Sequence, residues 1–140
     1  MWWSVSVREH AVALQDTSDA VESLLLRLDL RVVGGLWSDA GHAIGIARSP
    51  AGLFVGWLDV GWIAPDDPFS EMRDVVHLVE RVPIEQLSRD LDFAISEVKG
   101  LRAEHLRDCE RCDERFVPGQ MYGARCCHSC AVRDGDVGSC

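Results

Sequence analysis

Residues 109–130 read CERCDERFVPGQMYGARCCHSC and hold five of the chain's six cysteines. Residues 1–108 hold none. Cys109 and Cys112 have two residues between them, as do Cys127 and Cys130, with 14 residues between the pairs. A two-residue gap lets one tight turn aim both sulfurs at a single point. Two such turns can set four sulfurs about 2.3 Å from one metal ion, the closed tetrahedron of a structural zinc site. The expected ligands are therefore Cys109, Cys112, Cys127 and Cys130, and the expected cofactor is Zn2+. Four thiolates leave no position for a reactive water, which zinc catalysis requires. The ion is expected to be structural, and apparent binding energies of about 10–16 kcal/mol for such sites make folding of the C-terminal segment depend on it.

Alternatives stay open on the sequence. A disulfide framework competes, although a reducing cytosol favours metal sites. Iron can take the same four sulfurs. Cys126 adjoins Cys127, and only one of them should face the ion; Cys127 restores the two-residue gap to Cys130. His128 is a legitimate zinc ligand by type. Cys140 reads as a free thiol in the tail. The segments ERFV and MYGAR are expected to pair as strands across a Pro118–Gly119 turn. The stretch 109–131 resembles zinc-ribbon and treble-clef fingers. In a treble clef the second cysteine pair opens a helix. HSCAVRDGD leaves room for one turn at most before Gly135, so the sequence does not separate the two forms.

No other constellation of chemical groups emerges. There is no phosphate-binding glycine loop, no Gly-x-Ser-x-Gly elbow and no His-x-x-x-His pair. His10, His42, His77 and His105 are scattered. Asp39 and His42 are close but sit beside Gly41 in an expected turn. With no acid, base and nucleophile set to name, no catalytic residue and no enzymatic activity are expected.

The elements that must carry the cysteine cluster follow from periodicity. WSVSVR at residues 3–8 alternates as a strand. Thr17, Ser18 or Asp19 can cap a helix whose apolar stripe is Ala20, Val21, Leu24, Leu25 and Leu28. HAIGIAR-SPAG-LFVGWLDV predicts two strands around a turn, with Pro50 second and Gly52 fourth. Gly45 and Gly56 inside those strands mark bulges or close backbone approach. Residues 60–74 read as a polar loop punctuated by proline, and residues 75–82 as a further strand. From Pro83, at the first helical position, apolar residues recur at Ile84, Leu87, Leu91, Ala94, Val98 and Leu101, with His105 next. This is the spacing of a packed helix seam, which can bury itself on the sheet or pair two chains as a dimer through residues 84–105. The helix is expected to run nearly to Cys109. The predicted class is α+β: an antiparallel sheet with two main helices, plus a small C-terminal zinc-finger unit. The predicted organisation is a sheet domain over 1–82, a long helix over 83–108 that packs on it or connects, and a four-cysteine zinc-binding unit over 109–140.

The chain has 140 residues and a net charge of −9. Residues 109–140 hold five acidic and four basic side chains, so even the finger lacks the basic footprint of a nucleic-acid binder. An acidic surface suits a cationic partner. No apolar run reaches membrane-spanning length, and no basic region precedes an apolar stretch at the N-terminus. A cytoplasmic protein with no membrane association is expected.

The succession TSDAVESLLLRL, glycine-rich strands ending in LFVGWLDV, and a strand leading into RVPIEQLSRDLDFAI resembles the immunity proteins of bacterial polymorphic-toxin systems. The resemblance spans residues 3–95 and includes the Val82-Pro83-x-Glu85 step before an amphipathic helix. The chain lacks that family's closing Arg-Pro and Trp segment and continues into the cysteine cluster instead. The resemblance implies a bacterial or phage protein that binds and blocks a toxin domain as an inhibitor, without chemistry of its own. The alternative is a zinc-finger regulator that contacts DNA, RNA or the transcription machinery.

Overall fold

The structure, a computed structural model, describes residues 20–135 and Cys140. The strand expected at 3–8, the capping residues Thr17, Ser18 and Asp19, and Trp2, Trp3 and His10 lie outside the described residues. Residues 20–27 form helix α1. Strands β1 (Arg31–Val33), β2 (Leu36–Ser38), β3 (Ile44–Ser49), β4 (Gly52–Ala64) and β5 (Asp67–Leu78) follow, and then helix α2 (Ile84–His105). The five strands form one sheet in sequence order, each antiparallel to the next. Two small hairpins, β6 (Arg107–Asp108) with β7 (Arg115–Phe116) and β8 (Met121–Tyr122) with β9 (Cys126–Cys127), lead into helix α3 (His128–Asp134). The α+β class with an antiparallel sheet is the class observed.

The helices cover the sheet because their stripes are apolar at helical spacing. Val21, Leu24 and Leu25 of α1 and Leu87, Leu91, Ala94 and Val98 of α2 are buried in one core with Ile44, Ile46, Leu53, Val55 and Trp57. The seam that could have paired two chains is therefore the face that α2 buries against its own sheet. Trp57 is the largest core side chain; its indole N–H donates to Asp74 Oδ2 at 2.8 Å, and its ring stacks on His105. Pro83 caps α2 instead of occupying its first turn, and the helix stops at His105, four residues short of Cys109. Among the described residues, no helix is long and apolar enough to cross a membrane.

The β3–β4 turn has Ser49 opposite Gly52 with Pro50 and Ala51 between them, as expected. Gly52 has φ +128°, and a Cβ there would overlap the Leu78 carbonyl oxygen. Gly45 and Gly56 face each other across the ladder. A Cβ on Gly56 would lie 2.8 Å from the Arg73 carbonyl oxygen, beside the register shift between Val55 and Trp57.

Residues 60–74 are not a loop. β4 and β5 form one long hairpin turning at Pro65–Asp66, with Trp62 opposite Pro68 and Gly61 opposite Phe69. Pro68 is tolerated because β5 is an edge strand among the described residues, where a missing N–H need break no ladder bond. β3 pairs with β4 only as far as Trp57, so the outer half of the hairpin extends past it.

Candidate metal centre

The four cysteines are placed by two different local devices. β6 and β7 bracket a tight knuckle: the Cys109 N–H donates to the Glu114 carbonyl and the Asp113 N–H to the Cys109 carbonyl, both at 2.9 Å. Asp113 takes φ +60°, a conformation that Asp tolerates better than most residues. This reversal brings Cys112 back beside Cys109. The second pair straddles a helix start. Cys127 is the N-cap of α3, and its sulfur accepts the Cys130 N–H at 3.5 Å. Gly135 closes the helix in the left-handed conformation at φ +65°.

The sulfurs of Cys109, Cys112, Cys127 and Cys130 all lie within 4.8 Å of one another. Four thiolates at about 2.3 Å from a zinc ion would stand about 3.8 Å apart, so a small contraction would seat an ion. Cys109, Cys127 and Cys130 are buried, and Cys112 is half-buried. Polar groups already point at the sulfurs. The Cys127 N–H donates to Cys109 Sγ at 3.3 Å, and Arg133 Nη2 to Cys130 Sγ at 3.5 Å. The Cys127 N–H is the main reason that the Cys109 thiol is lowered to about 6. Cys130 is pushed up to about 12, first by burial and then by its hydrogen bond with Cys127. A divalent cation would favour the thiolate at all four positions. The donor set is thus chemically suited to a metal and consistent with a zinc-finger-like unit.

The second cysteine pair opens helix α3 directly after the β8–β9 hairpin. α3 has seven residues, more than the single turn expected. The expected pairing of ERFV with MYGAR does not form. Arg115–Phe116 pairs back onto Arg107–Asp108, and Met121–Tyr122 pairs forward onto Cys126–Cys127. Between them Pro118–Gln120 makes a 3-10 turn held by the sheet.

β9 settles the choice between adjacent cysteines. Successive strand residues point to opposite faces, so Cys127 joins the cluster and Cys126 turns away. Cys126 is disulfide-bonded to Cys140, which is therefore not the free thiol expected. Gly123 makes room for this tail; a Cβ there would sit 2.7 Å from the Cys140 carbonyl oxygen. His128 is not part of the cluster. Its ring stacks on Trp62 at 4.5 Å and takes the edge of Tyr122 at 5.4 Å.

The unit is joined to the sheet along β4, beyond the end of β3. Asp59 is 2% exposed. Its Oδ1 accepts the N–H groups of Val60 and Gly119, both at 2.8 Å. The Trp62 indole N–H donates to the Gly119 carbonyl at 2.7 Å, and Val117 enters the main core. A buried carboxylate and a tryptophan of one strand thus grip both sides of one glycine. A charged residue within the apolar run WLDVGW was the signal for Asp59. Its partner lies 60 residues away in the chain.

Asp39 and His42 organise a turn. Asp39 Oδ1 accepts the N–H groups of Ala43 and Ile44 at 2.8 and 3.1 Å, and His42 Nδ1 lies 3.2 Å from Ser38 Oγ. His77 is spent on the Ala51 carbonyl at 2.7 Å and stacks on Phe54. All four finger arginines are ion-paired: Arg111 and Arg133 with Asp134, Arg115 with Asp108 and Arg125 with Glu110. The chain matches no protein-family model, no curated protein and no solved structure. The resemblance to immunity proteins thus has no match behind it.

Proposed function

We propose that this is a non-catalytic binding protein of the immunity or inhibitor type, in which a zinc ion held by Cys109, Cys112, Cys127 and Cys130 fixes the C-terminal unit against the sheet. The observation that carries the reading is the surface built around that junction. Between the β4–β5 hairpin and the metal unit lies an open cleft of about 290 Å3, lined by Val60, Trp62, Phe116 and His128 among others. The hairpin itself exposes Ile63 at 75% and Phe69 at 45%, with Asp66 and Asp67 at its turn. Exposed aromatic and aliphatic side chains on a rigid element are typical anchors of protein interfaces. Their acidic setting, in a chain of net charge −9, favours a basic partner such as a toxin domain.

The metal supports the reading by its closure. When bound, it would supply cross-linking of the knuckle to α3 and no open coordination position. The zinc-finger regulator reading draws less support, because the carboxylates beside Arg111, Arg115, Arg125 and Arg133 compete with any phosphate for them.

Calorimetry against a panel of basic toxin domains from bacterial polymorphic-toxin systems tests the proposal. The expected result is a stoichiometric complex that suppresses toxicity, with Ile63→Asp weakening binding by about 30-fold, the scale of one hot-spot residue. No heat of binding and no protection of cells would overturn it, as would binding indifferent to Ile63→Asp.

A further inference from the structure

Two sulfur systems lie side by side in the metal unit. Cys109, Cys112, Cys127 and Cys130 gather at one point, while Cys126 is bonded to Cys140, 14 positions further along. The two systems interleave along the chain. The loop that the disulfide closes contains Cys127, Cys130 and all of α3, which is half of the ligand set and the helix that presents it. In space they stay apart, because Cys126 and Cys127 are neighbours in β9 and turn to opposite faces. The disulfide therefore takes no ligand from the cluster. The ion pairs that tie this half of the site to the Cys109–Cys112 knuckle are Arg111–Asp134 and Arg125–Glu110, both at 2.8 Å. They are surface pairs, which contribute little. Holding the second half in place thus falls to the metal and to the disulfide.

Metal binding by such a unit is coupled to its folding, so the affinity includes the cost of ordering the metal-free chain. A covalent loop lowers that cost. It removes from the metal-free ensemble the conformations in which α3 and its two cysteines stray from β9. For a loop of this length the chain-entropy scale corresponds to a factor of about 100 in an equilibrium constant. We infer, on the zinc reading proposed above, that the Cys126–Cys140 bond is a redox-sensitive clasp that sets how tightly the four-cysteine site retains its ion. Opening the clasp is a thiol–disulfide exchange with a low-molecular-weight thiol. The thiol attacks the half-buried Cys140 sulfur, since Cys126 is 2% exposed. Cys126 leaves as a thiolate and takes up a proton. A second small thiol then displaces Cys140 from the mixed disulfide. The two small thiols depart as one disulfide, and their two electrons remain on the protein sulfurs. The coupling is reciprocal: the factor that the disulfide adds to zinc affinity is the factor by which bound zinc resists reduction of the disulfide.

The test uses the zinc-loaded full chain in two states, oxidised with glutathione disulfide, or reduced with dithiothreitol and desalted under nitrogen. Alkylation in denaturant verifies each state: four thiols react in the oxidised chain and all six in the reduced one. Competition with a chromophoric chelator then reads zinc affinity. The oxidised chain is expected to hold zinc about 10- to 100-fold more tightly than the reduced chain, with the same stoichiometry at saturation. Cys140→Ser is expected to match the reduced wild type under both treatments. The clasp is refuted if the oxidised and reduced wild type agree within about twofold, well below the loop-entropy scale. It is equally refuted if Cys140→Ser keeps the redox response, or if six thiols react in the oxidised chain. A chain that binds zinc in neither state overturns the metal reading itself, whereas equal binding in both overturns the clasp alone.

Discussion

Gly119→Ala is the perturbation that the fold tolerates least for its size. A Cβ at this position would overlap the Val60 carbonyl oxygen and lie 2.8 Å from Asp59 Oδ1. The obstacle is strand backbone and a fully buried carboxylate, so neither neighbour can swing away. The turn must move off β4, and two hydrogen bonds are lost with it: Gly119 N–H to Asp59 and Trp62 N–H to the Gly119 carbonyl. Weakening the pairing of a buried carboxylate costs about 1–3 kcal/mol. Overpacking against rigid backbone costs about as much again. The expected loss is about 2–6 kcal/mol, a large fraction of the roughly 5–15 kcal/mol that holds a typical domain folded. Gly100→Ala is the internal control. Gly100 lies inside α2, and a Cβ there meets nothing within 4 Å. The same substitution should therefore stabilise the chain by about 0.5–1 kcal/mol through helix propensity. Urea unfolding of both variants with zinc present, read by tryptophan fluorescence, measures the difference. A Gly119→Ala variant within about 1 kcal/mol of wild type, or a destabilised Gly100→Ala, would refute the packing argument for the joint.

Other outcomes follow from the same contacts. Trp57→Ala, at the centre of the core, is expected to cost about 3–5 kcal/mol in denaturant titration; a smaller loss would place Trp57 outside the cooperative unit. Cys140→Ser should leave metal stoichiometry unchanged by elemental analysis, because Cys126 and Cys140 stand outside the cluster. Under oxidising conditions it should cost up to about 3 kcal/mol, the chain-entropy scale for a loop of this length. Lowering the pH is expected to release metal, since protons compete for ligand sulfur; a metal chromophore that persists in strong acid would contradict thiolate ligation. Chelation should change the fluorescence of Trp62, whose ring rests on His128, while amides of Leu91, Ala94 and Val98 stay protected in hydrogen exchange.

What the sequence revealed depended on how local each signal was. The α2 stripe, the Ser49–Gly52 turn and the paired cysteines are short-range patterns, and all three appear where their spacing put them. The β4–β5 hairpin escaped because β5 lies at the sheet edge among the described residues, and its first four residues, 67–70, are exposed. It shows no apolar alternation, and its prolines look like loop punctuation. The strand pairing in the metal unit differs from the expected one because a long-range contact decides it. Pro118 and Gly119 looked like a hairpin turn, but Asp59 and Trp62 hold that turn flat against β4, so each flanking segment pairs in the other direction.

X-ray absorption at the zinc edge of the purified full chain tests the central claim most directly. One ion per chain with four sulfur neighbours at about 2.3 Å, and no oxygen or nitrogen neighbour, is the predicted result. Substoichiometric metal, or a shell of three sulfurs with a light-atom ligand that exchanges with solvent, would contradict a purely structural centre and reopen the case for chemistry at the site.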